Sequence, residues 1–168
     1  YGLIKRAAEL ALIIVCAPLL AILWSIIGIA IKLDSPGPIL FSQARTGLNG
    51  VPFTMLKFRS MFVSDEQGNH FAEKKDNRIT RVGRVLRRLR LDETPQFWTV
   101  IVGDMCLIGP RPEQLEFTKR FEQLIPFYSF RHTIRPGITG WAQVMYGYAA
   151  SDEQTRAKLE FDFFYIKH

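Results

Sequence analysis

Cysteine and histidine are scarce here: the 168 residues hold two of the first and three of the second. Cys16 lies in an apolar run and Cys106 in the segment MCLIG, with no second cysteine near either. That pattern points to neither a disulfide framework nor a zinc site, and a reducing, cytoplasmic setting is the default. His70, His132 and His168 have neither ligand spacing nor a nearby nucleophile. The strings GxxxxGK, GxGxxG, HExxH and DxD are missing, which argues against P-loop hydrolases, dinucleotide oxidoreductases, zinc proteases and DxD-type sugar transferases. Any metal is therefore expected to be hard and oxygen-bound, magnesium or manganese on carboxylate and phosphate oxygens.

Acid is the next shortage. Between Arg78 and Arg111, seven arginines share the sequence with Asp92, Glu93 and Asp104 alone. Two adjacent carboxylates in a field of guanidinium groups suit a site that holds a divalent cation and phosphate together, because each sign of charge offsets the other's desolvation. The same LDETPQ segment also reads as a helix start, with Asp92 as N-cap, the helix beginning at Glu93, and Pro95 tolerated in the first turn. The two readings are compatible, since the free amides of a helix N-terminus attract phosphate. Over the whole chain, 22 Lys and Arg stand against 16 Asp and Glu. The net charge of +6 favours anionic partners: phosphate esters, acidic lipid headgroups or nucleic acid.

Apolar residues, by contrast, are plentiful. Leu10 to Ile31 carries no charge over 22 residues, about 33 Å as a straight helix and long enough to cross a bilayer. Pro18 inside the run lacks an amide hydrogen and opposes the carbonyl one turn back, so a bend is expected. Lys5 and Arg6 precede the segment while Lys32, Arg45, Lys57 and Arg59 follow it, and cationic flanks prefer the cytoplasmic side at both ends. A re-entrant hairpin and a kinked span both remain open on these features. The anchor argues that the acidic partner is membrane-associated rather than nucleic acid.

A chain of this length allows one soluble unit with a core beside the anchor. After the DSPGP turn at Asp34 to Pro38, strands are expected over Ile39 to Arg45 and Val51 to Met61, joined by the loop at Gly47 to Gly50. The second would present Lys57 and Arg59 on one face as candidate phosphate contacts. Ser64 to Asn77 reads as a mobile surface loop. From Arg78, the spacing of Ile79, Val82, Leu86 and Leu89 predicts a basic amphipathic helix, and a second helix is expected from Glu93 to Val102, ending at Gly103. GPRP at Gly109 to Pro112 holds Arg111 in extended backbone, either as a rigid phosphate fork or as a surface turn. Glu113 to Leu124 reads as helix. The aromatic group Ile125, Phe127, Tyr128 and Phe130 suits core or membrane interface equally. The glycines of RPGITGW at Arg135 to Trp141 allow close backbone approach, with Trp141 packing inward. Ser151 and Gln154 form a capping box for a last helix toward Ile166, on which Asp162 is either buried and paired or on the wet face. Internal repeats and low-complexity tracts are absent.

Taken together, the apolar helix with its internal proline, KFRSM at Lys57 to Met61, LDETPQ at Leu91 to Gln96, GDM at Gly103 to Met105, GPRP, RPGITGWAQV at Arg135 to Val144 and LEFDFFYIK at Leu159 to Lys167 resemble the monotopic bacterial polyprenyl-phosphate phosphoglycosyltransferases, the bacterial sugar transferase family. Each string alone is weak, but seven in one order over nearly the whole chain are specific. The resemblance implies an α+β fold: a re-entrant membrane helix hairpin over residues 1–33, then a small cytosolic catalytic domain of amphipathic helices with a short β-hairpin over 34–168. It implies transfer of a sugar 1-phosphate from a nucleoside diphosphate sugar, a UDP-hexose, to undecaprenyl phosphate at the cytoplasmic face of the inner membrane, the first membrane step of glycan assembly. By the same similarity Asp92 is the nucleophile and Glu93 a Mg²⁺ or Mn²⁺ ligand, while Lys57, Arg59, Arg111 and Arg135 steady phosphates. The competing reading is a non-catalytic basic module that binds anionic lipid or scaffolds a glycan assembly complex. The start at Tyr1 and the stop at His168 within a helical pattern lead us to expect cuts in a longer protein at both ends.

Overall fold

The apolar run folds as a single helix, α1 (Gly2–Asp34), that continues through Pro18. In this computed structural model, residues 2–63, 78–147 and 151–168 are described; the expected loop at 64–77 lies outside them. Between its ends α1 turns Leu12, Ile14, Val15, Leu19, Ile22, Ile26 and Ile29 outward, each more than half exposed. It is long and apolar enough to cross a membrane. The fold is α+β, and its contacts divide into two compact units that do not follow chain order.

One unit comprises residues 12–41 and 56–95. Its core is Ile27 and Ile31 of α1 with Phe58 and Leu86, against which Leu23, Trp24, Ile39, Val82 and Leu91 pack. The helix α2 (Arg81–Arg88) supplies Leu86. It begins three residues later than its apolar spacing predicts, because Ile79 pairs with Met61 in an antiparallel bridge and Thr80 becomes the N-cap. Two first-turn amides are satisfied from outside the helix: Gly83 N donates to Thr80 Oγ1 and Val82 N to Asp34 Oδ2, both at 2.9 Å. Gly83 has a packing reason as well. A Cβ there would run into the Ser60 backbone.

The other unit comprises residues 1–11, 42–55 and 96–168. Phe121, Ile125, Tyr128 and Leu159 form its core, with Phe117 and Phe163 packed on them. These come from α4 (Leu115–Leu124), a 3-10 stretch (Tyr128–Thr133) and α6 (Asp152–Lys167), whose N-cap Ser151 accepts from Gln154 N as the capping box requires. The aromatic group divides: Ile125 and Tyr128 are buried, whereas Phe127 and Phe130 face outward. Trp141 opens α5 (Trp141–Met145) and stacks on Phe164 while remaining 39% exposed.

A hairpin of β1 (Leu40–Thr46) and β2 (Pro52–Phe58) closes through a 3-10 turn at Leu48–Gly50, with Asn49 left-handed, close to the expected strands. No residue pattern announces a second pair: β3 (Cys106–Ile108) runs parallel to β4 (Gly137–Thr139), with Cys106 opposite Gly137 and Ile108 opposite Thr139. Each strand is three residues long, too short for period-two alternation to stand out. Gly137 permits the pairing, since a Cβ on it would meet the Gly109 backbone, the close approach expected of RPGITGW. The helix expected from Glu93 starts later, as α3 (Gln96–Val102), and stops at left-handed Gly103. Asp92 is therefore not its N-cap.

The first turns of α1 also belong to this unit. Lys5 Nζ donates to Ile108 O at 2.7 Å and to the Tyr165 hydroxyl at 2.9 Å, Arg6 Nη2 to Ile101 O at 3.1 Å, and Leu107 N to Glu9 Oε1 at 3.1 Å.

Candidate active site

After α2 the chain reverses at Arg90, which takes the left-handed conformation (φ 59°), and the next three residues, Leu91–Glu93, wind into a 3-10 turn. Arg90 is not glycine, so this reversal carries a conformational cost that the surrounding packing must sustain. The turn delivers the two acids side by side. Asp92 is 8% exposed, and its Oδ1 is buried with no hydrogen-bond partner among the described residues. Burial raises its pKa first, and the charge of Glu93 raises it further; Lys57 and Arg87 pull the other way without cancelling the rise. Glu93 accepts from Lys57 Nζ at 2.8 Å, with both side chains mostly shielded.

β2 provides Lys57, and Arg59 follows just past its end. The expected pair of phosphate contacts separates here. Arg59 is 5% exposed and donates to Ser35 O at 2.7 Å, Ser35 Oγ at 2.9 Å and Pro36 O at 2.8 Å, so its guanidinium ties down the DSPGP turn. Its Nη donors thus fix backbone at the turn, while its buried Nε has no partner among the described residues.

Arg111 and Arg135 belong to the other unit. Arg111 Nη1 lies 3.5 Å from Ile138 O, a long contact, while its own carbonyl accepts from Arg131 Nη2 at 2.9 Å. Arg131 in turn donates to Asp162 Oδ2 through Nε at 3.0 Å and to the Tyr128 hydroxyl at 2.7 Å. Asp162 is thus buried and paired, one of the two alternatives its sequence left open, and Arg131 is the partner that sequence reasoning missed. Arg135 lines a cavity of ≈ 470 Å³ together with Lys5, Arg6, Glu9, Cys106 and Tyr165.

Among the described residues, no three His, Cys, Asp or Glu side chains gather into a metal cluster. Asp92 and Glu93 nevertheless fit a magnesium-type ion. A buried carboxylate oxygen without a partner and an adjacent carboxylate suit a cation that takes one or two protein oxygens and completes its shell with water and substrate phosphate. Chemically, the arrangement joins a partly protected carboxylate, a second carboxylate and a cation that holds the second in place.

The sequence profile described as "Bacterial sugar transferase" matches residues 1–168. An Aeromonas hydrophila protein named UDP-N-acetylgalactosamine-undecaprenyl-phosphate N-acetylgalactosaminephosphotransferase is 51% identical over 100% of this chain and 40% of its own length. Two proteins named UDP-glucose:undecaprenyl-phosphate glucose-1-phosphate transferase also match: that of Escherichia coli K12 is 41% identical over 98% of the chain and 36% of its own length. The Caulobacter vibrioides protein is 40% identical over 97% of the chain and 62% of its own length. The chain therefore spans less than two thirds of each of these relatives. Matched along its full length by the profile, and over 97% or more by each of these relatives, the chain belongs to the bacterial sugar transferase family.

Proposed function

We propose that the protein transfers a sugar 1-phosphate from a UDP-hexose to undecaprenyl phosphate in two covalent steps at Asp92. The observation that carries this reading, in a chain of this family, is a buried aspartate with an oxygen unpartnered among the described residues, beside a carboxylate that lysine holds. In the first step an Asp92 oxygen attacks the sugar-bearing phosphorus; the Asp–O–P bond forms as the bond to nucleoside monophosphate breaks. In the second, an oxygen of the lipid phosphate attacks the same phosphorus and releases Asp92, giving lipid diphosphate sugar. Desolvation makes the carboxylate more reactive, and Lys57 keeps Glu93 from swinging onto Asp92. Mg²⁺ or Mn²⁺, held by Glu93 beside Asp92, supplies neutralisation of the donor's phosphate charge when bound. Arg111 and Arg135 serve as phosphate contacts. Arg59 serves through the turn that it fixes. Relatives named for glucose and for N-acetylgalactosamine support a UDP-hexose donor, and one named as an exopolysaccharide production protein supports glycan assembly.

We place the reaction at the cytoplasmic face of the inner membrane, with residues 1–33 as a re-entrant anchor and 34–168 as the catalytic part. The cationic flanks of α1 support this: Lys5 and Arg6 precede its uncharged run and Lys32, Arg45, Lys57 and Arg59 follow it, and such flanks favour the cytoplasmic side at both ends. A helix that crossed the bilayer would separate its flanks by the hydrocarbon thickness, roughly 30 Å.

The deciding experiment is isotope exchange. The protein reconstituted in vesicles of defined lipid without undecaprenyl phosphate should move labelled UMP into UDP-sugar, and Asp92→Asn should abolish that exchange. Normal turnover by Asp92→Asn would refute the covalent route.

A further inference from the structure

Within the uncharged stretch of α1, Trp24 carries a strong hydrogen-bond donor, and it does not spend it on its own helix. Its indole Nε1 donates to Thr94 Oγ1 at 3.0 Å. Thr94 is the residue directly after the dyad and closes the 3-10 turn: its hydroxyl donates to Leu91 O at 2.9 Å, and its amide bonds the same carbonyl at 3.2 Å. With one proton given to Leu91 and a lone pair filled by Trp24, the Thr94 hydroxyl is locked in a single orientation. The same indole meets Phe58 edge to face, with ring centroids 6.3 Å apart. Phe58 follows Lys57, the residue that holds Glu93. One side chain from the apolar helix thus braces both the turn that carries Asp92 and Glu93 and the strand that carries their cation.

We infer that Trp24 is a positioning residue for the acidic dyad, its indole N–H fixing Thr94 and, through Thr94, the turn that aims Asp92. The inference rests on the proposed reaction at that dyad. Neighbouring contacts strengthen it. Arg90, at the entry to the turn, is left-handed, so the turn is strained at one end and held by Trp24 and Thr94 at the other. Among the described residues, Asp92 has no partner through Oδ1 that could steady it alone. Displacements well below a hydrogen-bond length at a reacting carboxylate are enough to lower a rate.

The test uses the whole chain in membranes. Trp24→Phe keeps the ring on Phe58 and deletes the donor; Thr94→Val keeps the shape and deletes the acceptor; Thr94→Ser keeps the hydroxyl. Each of the first two should lower kcat for UMP exchange about tenfold, equivalent to about 1.4 kcal/mol. KM for the UDP-sugar should stay within about twofold, since the loss falls on alignment. Thr94→Ser should retain nearly full rate, and the double variant Trp24→Phe/Thr94→Val should be no slower than either single one, because one link is broken in both. A purely structural contact would lower rate only in step with melting temperature, with no split between kcat and KM and no rescue by Thr94→Ser. Wild-type kinetics in Trp24→Phe, or losses that multiply in the double variant, would overturn the inference while leaving the covalent route intact. Absence of exchange in the wild type would sink both together.

Discussion

At the scale of single residues, the decisive contrast lies between charges that are held and charges that are spent. Lys57 is held against Glu93, and it also lowers the pKa of Asp92 against the upward push of burial. Lys57→Met should therefore let the Asp92 pKa climb, and since the ionised form is the nucleophile, the acid limb of the rate profile should shift to higher pH. A pH series of exchange rates checks the direction. His132 is a second residue whose environment sets its charge. Burial, with the positive charge of Arg131 next, lowers its pKa from 6.5 to about 4, so the folded protein keeps it neutral where an unfolded chain would protonate it. The stability this gives is complete above pH 6.5 and is lost as pH falls toward about 4. His132→Gln should flatten that part of the melting temperature profile relative to wild type. Sequence reasoning passed over His132 because spacing reveals ligands, whereas a buried neutral imidazole leaves no pattern along the chain.

Among the elements, α2 and the 3-10 stretch carry the firmest expectations. Gly83 sits where α2 crosses the Ser60 backbone, and Gly83→Ala should cost about 1–3 kcal/mol through overpacking, read by denaturant midpoint at constant slope. Arg131 and Asp162 are each 4% exposed as side chains and 2.8 Å apart, so Arg131→Met would strand a buried carboxylate and should cost about 3–5 kcal/mol. It would also release the Arg111 carbonyl. Elements with strong periodicity or punctuation were legible: the hairpin around its glycine loop, α4, and α6 behind its capping box all form where residue patterns place them. Ends of elements were less so. The bridge between Met61 and Ile79 delays α2, and the Thr94 closure keeps residues 91–93 out of α3, because both are tertiary contacts that local preference does not encode. The acidic pair itself was visible as an anomaly of charge, but the contacts that fix it, from Trp24 and Lys57, are separated from it by 70 and 36 residues and left no local trace.

For the molecule as a whole, the proposed re-entrant anchor makes a direct prediction. In a background with Cys16 and Cys106 replaced, single cysteines at Gly2 and at Leu40 should both react with an impermeant reagent only after the cytoplasmic side is opened. Labelling of the Gly2 position from the outside would show a true span. The compact units interleave along the sequence, which explains why composition alone located an anchor and a polar remainder but not how they divide. The fastening of Lys5 to Tyr165 reaches across 160 residues. During synthesis at ~5–20 residues per second, the first turn of α1 emerges on the order of ten to thirty seconds before the tyrosine that secures it exists. A proposed anchor that enters lipid as it is made does so while its own start is still untethered, so the ribosome's pace is built into the order in which this protein assembles.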